Sequence, residues 1–212
     1  MQQDAKLLDA ADKGSLHDVR SALDSGANIE AMDNNDCTSL VNASYHGHTD
    51  VVRELLARSA NIEAKCGTGV TSLIVAAGNG RVDVVRELLA RGANVNAEDD
   101  LGQTSLMEAT VADSLEIVRE LLARGANVMA KNRRGKTARM IADEHNDIDI
   151  ADLLRKKEQV IARRGVAEMN VKTQNLPIDV SKKIVGYLGG RKSRTKRKLT
   201  RRKKQQKGTR RR

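Results

Sequence analysis

The sequence predicts an all-α solenoid of about five stacked helix-turn-helix units, followed by a short helix and a disordered basic tail. Three observations predict it. The chain repeats itself with a period of 33 residues: Thr38, Thr71, Thr104 and Thr137 fall in one column, Ala43, Ala76, Ala109 and Ala142 in a second, Leu55, Leu88, Leu121 and Leu154 in a third, and Asn28, Asn61, Asn94 and Asn127 in a fourth. Self-similarity at such a period marks supersecondary units that stack on one another. Within each unit apolar residues recur at helical spacing, interrupted by glycines at fixed places. Aromatic residues make up only 1% of the chain and Pro177 is its single proline. That composition suits thin helical layers filled by Ala, Val and Leu rather than a globular core built on aromatics.

Residues 69–97 show the unit. Thr71 offers the hydroxyl of a good N-cap, and Leu73, Ile74, Ala76 and Ala77 follow as a short helix. Gly78-Asn79-Gly80 stops it. Val82, Val84, Val85, Leu88 and Leu89 form a second helix, with Arg86 and Glu87 on its wet face. Gly92 ends that helix at C′. The apolar side chains of one unit do not offset the entropy of ordering its backbone, so neighbours must bury each other's faces.

These residues resemble ankyrin repeats. The signature T-P-L-H-x-A stands here as Thr38-Ser-Leu-Val-Asn-Ala, Thr71-Ser-Leu-Ile-Val-Ala and Thr104-Ser-Leu-Met-Glu-Ala, and the resemblance covers residues 4–157. The departures are regular. Ser39, Ser72 and Ser105 replace a proline that would pre-set φ at the first helical residue. Val41, Ile74, Met107 and Met140 replace the histidine, which removes any inter-repeat hydrogen bonding by that imidazole. The resemblance implies β-turn tips and a concave groove for a protein partner.

Taken in order, residues 4–32 are a degenerate first unit whose Asp9, Asp12 and Asp18 suit a cap. Residues 33–65, 66–97 and 98–130 are full units. Residues 131–157 hold the last, where Arg139 occupies the column of Leu40, Leu73 and Leu106 and gives the polar face of a second cap. Asn42 and Glu108 share a column with Val75 and Ile141; the column is half-exposed, or it makes a specific ligand contact. Residues 158–174 are a linker or helical extension of mixed charge. Residues 175–190 hold a short helix opened by Pro177, with Val180, Ile184, Val185 and Leu188 in one stripe. This piece resembles the F-box-like segment at the C-terminus of ankyrin proteins of large DNA viruses, which implies docking on a Skp1-type ubiquitin-ligase adaptor. Packing on the end of the array is the other reading.

Charge divides the chain. Its net +10 combines a tail, residues 191–212, with 14 Lys/Arg and no acid, and an array, residues 1–154, with 16 Lys/Arg against 25 Asp/Glu. The tail cannot fold alone. Its clusters Lys196, Arg197, Lys198 and Arg201, Arg202, Lys203, Lys204 have the make-up of a nuclear-import or nucleic-acid patch. With no aromatics among them, any nucleic-acid contact would be to phosphates. An import receptor is therefore an expected partner, and nucleus or nucleolus the expected location, with cytoplasm otherwise. No run approaches 18 apolar residues and no signal sequence opens the chain. Cys37 and Cys66 are its only cysteines; at non-equivalent places in successive units, they are expected to be reduced thiols of an intracellular monomer.

No catalytic constellation emerges, and neither a cofactor nor a metal site is expected. His46-Gly-His48 near Asp50 falls in the turn between helices, where the next units carry Asn79-Gly-Arg81 and Ala112-Asp-Ser114. Function then rests on the surface. Carried over by position from the resemblance, the groove residues are Asn34, Asn35, Cys37, Tyr45 and His46; Gly67, Thr68, Val70 and Asn79; Asp100, Leu101, Gln103 and Val111; and Arg133, Arg134, Lys136, Glu144 and His145. The groove runs from neutral or acidic to basic at Arg133, Arg134 and Lys136, which favours a partner with an acidic end.

Overall fold

A computed structural model describes residues 2–174, with side-chain surroundings to residue 163. The chain divides into two units, and the array is the first, residues 1–158. Its helices come in pairs: α1 (Gln2–Lys13) with α2 (Leu16–Asp24), α3 (Ser39–His46) with α4 (Thr49–Ala57), α5 (Ser72–Gly78) with α6 (Val82–Ala90), and α7 (Ser105–Val111) with α8 (Leu115–Ala123). The last pair is α9 (Ala138–His145) and α10 (Ile148–Gln174). Among the described residues there is no strand, only isolated bridges Met32–Thr38, Lys65–Thr71 and Glu98–Thr104 that close the tips between pairs.

First helices stack on first helices and second on second. The alanine column makes the first layer close: Ala43, Ala76, Ala109 and Ala142 are fully buried, and no larger side chain would leave the neighbouring backbone that near. Between the layers lie Leu40, Leu73 and Leu106 from the first helices and Val52, Leu55, Val85, Leu88, Val118 and Leu121 from the second. Leu7 and Val19 close this core at one end and Ile150 and Leu154 at the other.

Local chemistry sets where each helix starts and stops. Thr71, Thr104 and Thr137 sit in extended backbone and accept a hydrogen bond from the N–H three residues on. Thr38 does not; its hydroxyl is buried without a partner. Second helices end because Gly26, Ser59, Gly92 and Gly125 take positive φ just past them. In that column the last unit has Glu158, and α10 runs through it to Gln174. The extension predicted beyond residue 157 is thus one helix with the last helix of the array.

Two ladders tie the pairs together. Each column asparagine bends the chain after a second helix, its Oδ1 accepting from the N–H two residues on, as Asn61 does from Glu63 at 3.0 Å. Its own N–H donates to the side chain of the preceding pair: Asn61 to Glu30 at 2.7 Å, Asn94 to Glu63 at 2.7 Å and Asn127 to Asn96 at 2.8 Å. The next acceptor position is Met129, where this ladder ends. On the outer face Arg20 pairs with Glu54 at 2.8 Å, Arg53 with Glu87 at 3.5 Å and Arg86 with Glu120 at 3.0 Å. Exposed pairs of this kind contribute little each.

At the register of the missing proline, Ser39, Ser72 and Ser105 are fully buried and their hydroxyls have no hydrogen-bond partner. An orphaned buried hydroxyl is costly, and the extended backbone of Thr71 before Ser72 is what a following proline requires. Ser72→Pro is expected to stabilise the protein by about 0.5–1 kcal/mol or more, and Ser72→Ala by less. Urea unfolding checks it; a lowered midpoint for the proline variant would contradict the orphaned-hydroxyl account.

Candidate functional site

The tips between pairs are hairpin-like turns, and in three of the four one side-chain oxygen closes the turn. Asp33 Oδ1 accepts the N–H groups of Asn35 at 2.7 Å and Cys37 at 3.0 Å. Asp99 accepts those of Leu101 and Gln103, and Asn132 those of Arg134 and Lys136. The Asp33 carboxyl feels burial, which raises it, but bonds from the Asn42 amide and these N–H groups outweigh that and hold it below its ordinary value. Neighbouring tips also join backbone to backbone: Gly67 N–H to Asn35 O, Asp100 N–H to Thr68 O and Arg133 N–H to Leu101 O.

Tips and first helices enclose a pocket of about 520 Å³ between the second and third pairs. Of the residues predicted for the groove it brings together Asn35, Cys37, Tyr45, Gly67, Thr68 and Val70, and adds Asp12, Asp33, Val41, Asn42, Cys66 and Val75. Tyr45, Gly78, Val111 and Glu144 hold one register at the ends of the first helices. At Gly78 the side-chain space is taken by a neighbour, since a Cβ would come within 3.2 Å of Glu108 Oε2. Tyr45 and Val111 are each 47% exposed, and Leu101 at its tip 60%.

Cys37 and Cys66 are joined in a disulfide with Cα atoms 4.4 Å apart. This corrects the expectation of two reduced thiols. Their non-equivalent places are what lets them meet: the closing side of one tip faces the opening side of the next, 29 residues on. The same offset brings Asn132 Nδ2 to Gln103 Oε1 at 2.6 Å, so the disulfide stands where another tip junction has a hydrogen bond. The spacing was the available signal, and matching units column by column hides it.

Other predicted groove residues are already engaged. Gln103 relays between Asn132 and Glu108, donating to Glu108 Oε1 at 2.9 Å. Asn42 donates to Asp33 Oδ2 at 2.9 Å. The column of Asn42, Val75 and Glu108 is therefore half-exposed and its polar members are bonded within the protein, while Ile141 is buried. Asn79 caps α5 through Val75 O at 2.8 Å. His46 lies 2.9 Å from Asp12 Oδ1 and edge-on to Tyr45, and His48 Nε2 lies 3.0 Å from Asp12 O. Lys136 Nζ donates to Glu144 at 2.6 Å, which neutralises part of the basic end. Arg133, Arg134, Asn34 and Asp100 are exposed, and among the described residues neither guanidinium forms an ion pair.

Among the described residues no group of His, Cys, Asp or Glu could hold a metal ion, and no helix is long and apolar enough to cross a membrane. Residues 175–190 and the tail clusters of Lys196, Arg197, Lys198, Arg201, Arg202, Lys203 and Lys204 lie outside the described residues.

Residues 7–99 match the family model for ankyrin repeats (3 copies), and residues 88–142 that for ankyrin repeats (many copies). The chain belongs to the ankyrin-repeat family. No curated protein matches it. Ankyrin repeats are protein–protein interaction modules and typically non-enzymatic. From unit to unit this ankyrin array repeats its alanine, leucine and asparagine columns and differs at the tips and first-helix ends.

At the far end His145 borders a pocket with Asp113, Asp147 and Asp149. Asp113 has a positive φ of 52°. The Asp147 carboxylate, as hydrogen-bond partner and like charge, raises the Asp113 carboxyl above its ordinary value. Asp147 Oδ1 meanwhile accepts from the N–H of Ile150 at 3.1 Å in the first turn of α10. A carboxyl whose folded pKa is raised favours folding when protonated; that benefit is full below the unfolded pKa and lost as pH rises through the folded one. Asp113→Asn keeps a donor toward Asp147 and suits the backbone. Its thermal midpoint is expected to exceed that of the parent near pH 7 and to match it near about pH 3.

Proposed function

We propose that the chain is a non-enzymatic scaffold whose docking face is the concave groove formed by the tips and first-helix ends. One observation carries this reading: at the groove the side chains of Tyr45, Leu101 and Val111 are 47%, 60% and 47% exposed, the Tyr45 ring standing edge-on to His46. On the outer face, by contrast, the arginines of three successive second helices are paired. A face of unsatisfied apolar and cationic groups is what a partner can use. Arg133 and Arg134 at one end support a partner that carries acidic residues there, and the basic tail supports a nuclear-import role for the same chain.

Replacing Tyr45, Leu101 and Val111 together by Asp is expected to abolish partner capture while circular dichroism still reports the folded array. Capture that survived all three changes would remove the groove from consideration. For the tail, changing Arg201, Arg202, Lys203 and Lys204 to Ala is expected to shift a tagged protein from nucleus to cytoplasm. An unchanged distribution would count against import.

A further inference from the structure

Three of the four tips are closed by a side-chain oxygen, from Asp33, Asp99 or Asn132, that takes two backbone N–H groups. The third pair has Cys66 in that register. Its backbone still closes the turn, with Cys66 N–H to Val70 O at 2.9 Å and Gly69 N–H to Cys66 O at 2.8 Å. Among the described residues, however, the N–H groups of Thr68 and Val70 have no hydrogen-bond acceptor. The tip is also Gly67-Thr68-Gly69, whose two glycines resist ordering most. The substitution that deletes the polar closure is the one that supplies the covalent tie to Cys37. In the thiol state this tip would have neither.

We propose that Cys37 and Cys66 are a reversible thiol–disulfide site, served by a low-molecular-weight thiol–disulfide couple, that fastens or releases the second tip, residues 66–70, on the wall of the groove pocket. Both residues are only partly buried and line an open pocket, so a small reagent reaches them. In oxidation, one cysteine thiolate attacks a sulfur of the small disulfide, forming a mixed disulfide and expelling one thiolate. The other cysteine thiolate then attacks the protein-side sulfur and expels the second. Two protein thiols lose two electrons and two protons, and one small disulfide becomes two thiols. The tip borders the docking face proposed above, but the site rests on the bonds of the tip itself and its test uses no partner.

The test measures amide hydrogen exchange of the whole protein after equilibration with oxidised or reduced glutathione, with thiols counted by alkylation. Oxidised glutathione is expected to leave no alkylatable thiol, and about 10 mM reduced glutathione to restore two. On reduction the amides of Cys66, Gly67 and Gly69 are expected to exchange at least about tenfold faster, while those of Asp99 and Gly102, and of Asn132 and Gly135, stay unchanged. Cys37→Val with Cys66→Asp writes into this junction the pair that the next one already has, Val70 and Asp99. That variant should hold the tip protected in either redox condition, and Cys37→Val with Cys66→Ala should show fast exchange in both. Thiols that stay alkylatable in oxidised glutathione, a disulfide that resists reduced glutathione, or tip exchange that ignores redox state would each overturn the proposal.

Discussion

Everything in this array depends on the close approach of one first helix to the next. That approach needs a residue no larger than alanine at one register, and Ala43, Ala76, Ala109 and Ala142 supply it, all fully buried. Once the first helices are stacked, the leucines beside them can only face the second helices, and the tips fall into a row. Stability is then a property of junctions rather than of units. The groove inherits its shape from this spacing, since the tips are set apart by the same distance as the helices below them.

Much of this was legible in the sequence because it repeats. A helix period, a threonine before each first helix and a glycine after most second helices are local signals, and each recurs in register. What repetition hides is the exception. Thr38 resembles the other column threonines but leaves its hydroxyl unpaired. Glu158 fills the column of Gly92 and Gly125, and the missing stop became a helix running to Gln174. Contacts that run diagonally between units were the hardest to see. The Gln103–Asn132 bond and the Cys37–Cys66 tie both depend on two tips lying side by side, a fact of stacking geometry that column matching does not express. Among the groove residues, exposure at Leu101, Tyr45 and Val111 followed from position, whereas the engagement of Gln103, Asn79 and Lys136 followed from neighbours.

The two faces divide the polar residues by purpose. On the outside, the arginines of the first three second helices each find a glutamate in the next pair. On the groove side some polar residues close tips, others such as Asn79, Gln103 and Lys136 are bonded to neighbours, and Arg133 and Arg134 stand exposed. At Gly78, between Tyr45 and Val111 in the same register, the Glu108 side chain takes the space beside the backbone, so the register runs from an aromatic to a polar to an aliphatic group.

The backbone ladder of the column asparagines has a direction. Each unit offers a donor to the one before it and an acceptor, at Glu30, Glu63 or Asn96, to the one after. At Met129 the acceptor is gone, and Leu153 likewise follows Arg119 where the outer pairing would need an acid. The array therefore carries its own length. A duplicated unit inserted between Ala64 and Ala97 would bring donor and acceptor together and splice into the ladder, whereas one added after Ala130 would meet a methionine. Growth by copying is open in the interior of this chain and closed at its C-terminal end.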